Sequence, residues 1–224
     1  MTPSDFLRMA RHPSAYAPTA AEVLAAGAVD VPPPDSQLRN VLDDPDADAP
    51  RADYAQWIGP VDPARAEFIR LQLAGDPAEA LLEVHGARWA EAFAPFGARD
   101  FVYRRGFAEG MSLTGRSFIS LGTRLLNSAP LREVRLIAVN FLMGELVMCS
   151  HLAKLEVLDL SGNRIGDTGA SLLSGCEYLE GLRELRLAGN SLTAECEARM
   201  RARFGAGVWI SFTLSLSSRA EEPL

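Results

Sequence analysis

The sequence predicts an α/β fold: a short stack of parallel strands, each followed by a convex helix, with a helical cap at its N-terminal end. Three observations carry this. Leu155 to Ile165 reads Leu-Glu-Val-Leu-Asp-Leu-Ser-Gly-Asn-Arg-Ile, and Leu158 and Leu160 have the two-residue period of a strand with one buried face. The pattern recurs, because Leu131, Leu155 and Leu182 open segments 24 and 27 residues apart. Residues 36–100 instead carry their apolar side chains at helical spacing.

The word Leu-x-x-Leu-x-Leu-x-x-Asn-x-Ile at 155–165 matches the leucine-rich repeat, whose period runs from about 20 to 29 residues. Asn163 sits where the chain leaves the strand, and its amide can pair with backbone groups that a tight bend leaves open. Asp167 to Cys176 supplies a convex helix, and Gly169 and Ala170 let it approach the strand layer. This long form resembles the ribonuclease-inhibitor-like, α/β type of repeat. Each inward leucine contributes about 1.5–3 kcal/mol. One repeat therefore cannot stand alone, and the stack needs a cap at each end.

Residues 1–35 form an arm. Ser4 can cap a short helix that ends by His12-Pro13, and Thr19 to Glu22 has capping-box spacing. Val31-Pro-Pro-Pro34 is an extended linker. The arm docks on the body, docks on a partner, or stays unfolded. In 36–100, Ser36 precedes a helix bearing Leu38, Val41 and Leu42. Pro50 starts a second, on which Tyr54, Trp57 and Ile58 share a face expected to be core. Asp62-Pro63 and Asp76-Pro77 start two more. These helices form the cap.

The repeat region spans 101–213. Residues 101–115 change character, and Arg105 to Leu113 reads as a strand of a degenerate first repeat, with Met111 and Leu113 inward, followed by a helix over 117–127. Leu131, Val134 and Leu136 make the next strand, with Asn140 one residue out of phase with the motif asparagine. Leu182, Leu185, Leu187, Asn190 and Leu192 form the last clear repeat. Phe204 to Phe212 reads as a terminal strand, and 214–224 is a polar tail.

Several separated words occur in order: Leu38 to Trp57, Asp62 to Gln72, Arg88-Trp89 and Arg105-Gly-Phe107. Together they resemble a bacterial repeat-companion domain, found beside leucine-rich repeats, over about residues 37–130. Where that family has Tyr-Ala-Asp-Trp-Leu-Glu-Glu, this chain has Tyr54-Ala-Gln-Trp-Ile-Gly59 and lacks the acidic residues. The resemblance implies no activity and no cofactor.

Composition bounds the function. The 224 residues are 48% hydrophobic and 23% charged, as in a soluble globular protein. A net charge of -7 without a basic cluster argues against nucleic acid as a partner. No stretch approaches the length of a membrane span, so no membrane is expected either. Cys149, Cys176 and Cys196 form no pair motif, which suits reduced thiols in a cytoplasmic protein. Lys154 is the single lysine among 22 basic residues, a usage resembling that of a GC-rich bacterial genome.

The candidate site is the concave face of the strands. Residues between the inward leucines point away from the core: Glu133, Arg135 and Ile137; Val157, Asp159 and Ser161; Glu184, Arg186 and Ala188. Arg135, Asp159 and Arg186 are expected to form a cross-strand charge ladder, which equally serves sheet stability. Asp44, Asp46 and Asp48 have calcium-loop spacing, but Ala49 and Ala55 replace the glycine and the bidentate glutamate, so a capped turn is expected. His85 reads as a partly buried histidine, and Cys149, aligned with Leu173 and Met200, as a small core residue. No phosphate loop, nucleophile elbow or metal-ligand spacing occurs. The expected function is a non-catalytic module that recognises a protein or peptide, with an accessory subunit docking through the arm as the alternative. An enzyme with an unrecognised site is the third reading.

Overall fold

The structure, a computed structural model, describes residues 35–209. The arm before Asp35 with its expected helices and Pro-rich linker, the part of the expected terminal strand beyond Trp209, and the polar tail lie outside the described residues. Four helices come first: α1 (Ser36–Asp43), α2 (Ala49–Ile58), α3 (Pro63–Ala74) and α4 (Glu79–Ala90). Asp35, rather than Ser36, caps α1, its Oδ1 accepting from the Leu38 amide at 2.8 Å. Asp62 caps α3 in the same way at 3.0 Å, and Gly75, at φ 77°, ends that helix. Asp76-Pro77 does not cap α4, which starts two residues later with Ala78 as its N-cap.

The stripe expected on α2 is divided. Arg51 and Ala55, one turn apart, are the buried residues of this helix. Tyr54 sits at their edge, its ring 5.1 Å from Phe107. Trp57, expected in the core, is 46% exposed. It follows Ala55 by two residues, a rotation of about 200° that turns it off the buried face.

A short 3₁₀ segment (Glu91–Phe96) leads into the sheet. The strand expected from Arg105 to Leu113 starts only at Phe107 and has an antiparallel partner before it. Arg105 and Gly106, at φ 47° and 85°, make a two-residue hairpin turn between antiparallel β1 (Arg99–Arg104) and β2 (Phe107–Thr114). The turn lies against α3: a Cβ on Gly106 would sit 2.7 Å from the Ile69 Cα, and the Gly106 amide donates to Gln72 Oε1 at 2.7 Å. The remaining strands, β3 (Glu133–Ile137), β4 (Val157–Asp159), β5 (Glu184–Arg186) and β6 (Val208–Trp209), add in chain order, all parallel to β2. Between them run α5 (Gly115–Leu126), α6 (Met143–Leu146), α7 (Gly166–Ser174) and α8 (Ala194–Phe204). The architecture is thus mixed α/β, a parallel sheet with helices. Helix α5 begins two residues before the expected Ser117 because Thr114 caps it, accepting from the Ser117 amide at 3.0 Å.

Met111, Leu113, Val134, Leu136, Leu158, Leu160, Leu185 and Leu187 all point into one core. Phe118, Leu125, Leu146, Leu173 and Met200 close it from the helical side, with Cys149, Cys176 and Cys196 buried among them. Gly169 leaves room on α7 for the Ile165 side chain one turn back and for α6, since a Cβ there would meet Ile165 Cβ at 2.7 Å and Met143 Cγ at 3.2 Å.

At the strand exits the backbone must bend, and asparagines pair the groups that the bend leaves open. Asn163 Nδ2 donates to Leu136 O and Leu160 O at 2.7 and 2.8 Å, while its Oδ1 accepts from the Val139 amide at 3.1 Å. Asn190 repeats this one strand on, donating to Leu160 O and Leu187 O and accepting from the Asn163 amide. In the preceding repeat Val139, not Asn140, occupies the equivalent place, buried and without an amide to extend the ladder. The residue before each of these, Ala138, Gly162 and Gly189, is left-handed at φ 57°, 75° and 65°.

Buried charge joins the helices to the sheet. Arg51 is fully buried, and its Nη2 donates to Glu109 Oε1 and to Pro45 O, both at 2.7 Å. Its Nη1 donates to Arg104 O and Arg105 O, each at 3.3 Å. Burial pulls its pKa below the usual range, and Glu109 opposes that shift. Beside it the guanidinium of Arg65 lies 4.8 Å from the Trp89 ring, 5.5 Å from Tyr103 and 5.7 Å from Phe107.

Ala138 bears a left-handed conformation that its Cβ disfavours, where the later repeats use glycine. Ala138→Gly is expected to stabilise the protein by about 1 kcal/mol in urea denaturation. An unchanged midpoint would contradict strain at this position.

Candidate binding face

The pleat fixes which side chains face away from the core. Gly110, Glu133, Val157 and Glu184 stand in register across β2 to β5, and Ser112, Arg135, Asp159 and Arg186 form the next row. Ile137 extends the face beyond them, opposite Thr114. Glu133, Val157, Asp159, Glu184 and Arg186 are half-buried, and Arg135 is exposed. Ser161 follows β4, half-buried, and donates its amide to Asp159 Oδ1 at 2.8 Å.

The charges pair differently from the ladder expected of Arg135, Asp159 and Arg186. Arg135 Nε lies 3.9 Å from Asp159 Oδ2, a loose contact. Arg186 turns away from Asp159: its Nε donates to Glu184 Oε1 at 2.6 Å and its Nη1 to Glu133 Oε1 at 2.9 Å. To reach Glu133 it crosses β4, where Val157 is the residue between the two carboxylates in register. The aspartate is short and already holds the Ser161 amide, whereas the glutamates of the adjacent row have the reach to meet the guanidinium.

Glu133 is the hub of the face. Its second oxygen, Oε2, accepts from Arg104 Nη2 at 2.6 Å. Burial alone would raise its pKa, but hydrogen bonds from Arg104 and Arg186 outweigh that and hold its pKa below the usual carboxylate value. The Arg186 pKa is raised, first by its hydrogen bond to Glu184. Arg104 is the face residue that the sequence reading missed, because β1 was not recognised. Its signal was the alternation of Arg99, Phe101 and Tyr103 against Asp100, Val102 and Arg104. Gly110 makes room here, since a Cβ would lie 2.9 Å from Val102 Cβ and 3.3 Å from Glu133 Cβ.

The other candidates resolve into structural contacts. Asp46 Oδ1 accepts from Arg132 Nη2 at 2.9 Å, which depresses the carboxyl's pKa, and Asp48 lies 3.8 Å from Arg105. The acidic turn is therefore an ion-pair partner of the sheet edge. Among the described residues no group of three or more His, Cys, Asp and Glu is arranged to hold a metal ion. Cys149 Sγ lies 3.1 Å from His151 Nδ1, and His151 Nε2 lies 2.9 Å from Thr123 Oγ1. Burial raises the thiol's pKa and lowers the imidazole's, so the neutral forms are favoured and the thiolate that nucleophilic chemistry needs is disfavoured. Gly122 accommodates the imidazole, since a Cβ there would sit 2.5 Å from Nδ1. His85 is half-buried, its ring 5.6 Å from Trp89.

Because the folded pKa of Glu133 is depressed, its contribution is fully present above the ordinary value of 4.5 and is lost as pH falls through the folded pKa. Glu133→Gln is expected to cost about 1–2 kcal/mol near neutral pH, measured by urea denaturation. The gap from wild type should close on acidification. A gap that is independent of pH would contradict the pairing.

A family model described as Leucine Rich repeat matches residues 151–174, which hold the end of the β3-to-β4 connection, β4 and α7. No curated protein and no solved structure matches the chain. The match supports a leucine-rich repeat in this chain and, in general terms, a protein-interaction module, a class that is usually non-catalytic.

Proposed function

We propose that the chain is a non-catalytic protein-protein interaction module. It is a short leucine-rich-repeat solenoid over 101–213, with 36–100 as a cap of the repeat-companion kind. It recognises a protein or peptide through Glu133, Arg135, Val157, Asp159, Ser161, Glu184 and Arg186. The observation that carries this is the state of charge pairing on the face. Glu133 and Glu184 are already held by Arg104 and Arg186, so these long side chains are fixed before any partner arrives. Little rotamer entropy remains to be lost on binding. Arg135 stands apart, with its side chain 52% exposed and Asp159 at 3.9 Å. A partner carboxylate can engage that guanidinium through two parallel hydrogen bonds. Val157 and Ile137 supply apolar contact beside it. The three buried thiols suit a reducing compartment such as the cytoplasm.

Capture of partners from the native host, read by mass spectrometry, tests the reading. Arg135→Glu with Asp159→Arg should weaken capture roughly tenfold or more, about 1.4 kcal/mol. Deleting residues 1–34 should leave capture largely intact. The reverse outcome would place recognition in the arm, as for an accessory subunit of an enzyme complex, and would overturn the role of the face.

A further inference from the structure

Phe141 is 92% exposed, yet it stands at a repeat position that is core elsewhere. Counted from the inward leucines Leu136, Leu160 and Leu187, its counterparts are Ile165 and Leu192. Ile165 is buried, and Leu192 packs on the core. The backbone accounts for the difference. Arg164 and Ser191, the residues before those two, are left-handed at φ 55° and 57°, and Asn140 is not. Instead the Leu142 amide donates to Val139 O at 2.8 Å, closing a four-residue turn with Asn140 and Phe141 at its tip. Leu142 turns toward α5 in place of Phe141, where a Cβ on Gly115 would meet its Cδ1 at 3.4 Å.

A lone exposed apolar residue needs no explanation, but the neighbours of Phe141 give its position a use. The turn follows directly on Ile137, the last residue of β3, and Val139 is tied to the next bend through its amide bond to Asn163 Oδ1 at 3.1 Å. Arg164 follows Asn163 in that bend; it is exposed, and among the described residues no carboxylate pairs with it. Arg135, two residues before Ile137, has the 3.9 Å contact with Asp159. Arg104 and Arg186, by contrast, are committed to Glu133 and Glu184. The end of β3 thus combines two under-paired cations with two apolar side chains. We propose that it binds an extended peptide segment carrying an acidic residue and, two to four positions away, an apolar one. The carboxylate meets Arg135, Arg164 adds positive charge at the adjacent bend, and the apolar side chain covers Ile137 and Phe141. An extended chain advances about 3.3 Å per residue, so two to four positions reach about 7–13 Å, from Arg135 past Ile137 to the turn. A basic segment would bring like charge to both guanidiniums. This inference rests on the proposed use of the face and names the class of sequence that the face reads.

Selection of a random nonapeptide display library on the full chain tests it, with the enriched peptides synthesised and titrated by fluorescence anisotropy. Enriched peptides are expected to carry Asp or Glu with an apolar residue two to four positions away. Phe141→Ala should weaken their binding about tenfold and Arg164→Glu about fivefold, while Phe141→Leu keeps most of it. Both positions are exposed, so unfolding midpoints in urea should match wild type and show that the variants are folded. Binding lost in Arg135→Glu but unchanged in Phe141→Ala and Arg164→Glu would overturn this inference and leave the face in use. Binding unchanged in all three would overturn both. Enriched sequences without the acidic and apolar pair, or no enrichment at all, would overturn the inference alone if capture of a host protein still depended on Arg135.

Discussion

The guanidinium of Arg51 holds the two halves of the molecule in one arrangement. It is a full charge with no exposure to water, a state that is tolerable only when it is paired, and its two terminal nitrogens are held while Nε has no hydrogen-bond partner. Its partners come from three places: Pro45 in the acidic turn, Arg104 and Arg105 at the hairpin, and Glu109 near the start of β2. None of these groups can move without stranding the charge. The cap, the turn and the first parallel strand are therefore positioned together.

From Glu109 the same constraint runs along the sheet edge. Glu109, Arg132, Glu156 and Arg183 occupy equivalent places, the amide of each of the last three donating to the carbonyl of the one before, at 2.8 to 2.9 Å. Their side chains alternate in sign. Arg105 Nη2 lies 3.0 Å from Glu109 Oε1, Arg132 pairs with Glu156, and Arg183 lies 3.3 Å from Glu156. Asp46 of the acidic turn closes onto Arg132. The next residue along each strand, Gly110, Glu133, Val157 or Glu184, belongs to the candidate face. A register fixed at the edge by buried charge thus sets which groups the face presents, because a slip of one residue would exchange the two sides of every strand.

The strands built on spaced leucines were legible because one local rule, burial on alternate residues, decides them. Leu158 and Leu160 are buried with Asn163 at the bend, as the motif requires. The hairpin was not legible as a continuous pattern, because Arg105-Gly106 fits a strand by composition and a turn by conformation, and packing on Ile69 selects the turn. Trp57 had the spacing of its buried neighbours but not their side of α2. The Arg51–Glu109 pair joins residues 58 apart, beyond the reach of any local pattern. On the face, the residue positions followed from the pleat, but the partners did not. Arg186 chose Glu133 and Glu184 over Asp159 through side-chain length and the prior claim of the Ser161 amide, which alternation alone cannot express.

The most direct test of this dependence is Arg51→Met in the full chain, read by denaturant unfolding and by amide hydrogen exchange. Removing one partner of a buried pair is expected to cost about 3 kcal/mol. Exchange should quicken not only in α1 and α2 but at the amides of Arg132 and Glu156, where the sheet edge is held. A loss below about 0.5 kcal/mol, the range of ordinary surface substitutions, or faster exchange confined to the helices, would show that the sheet keeps its register without the cap.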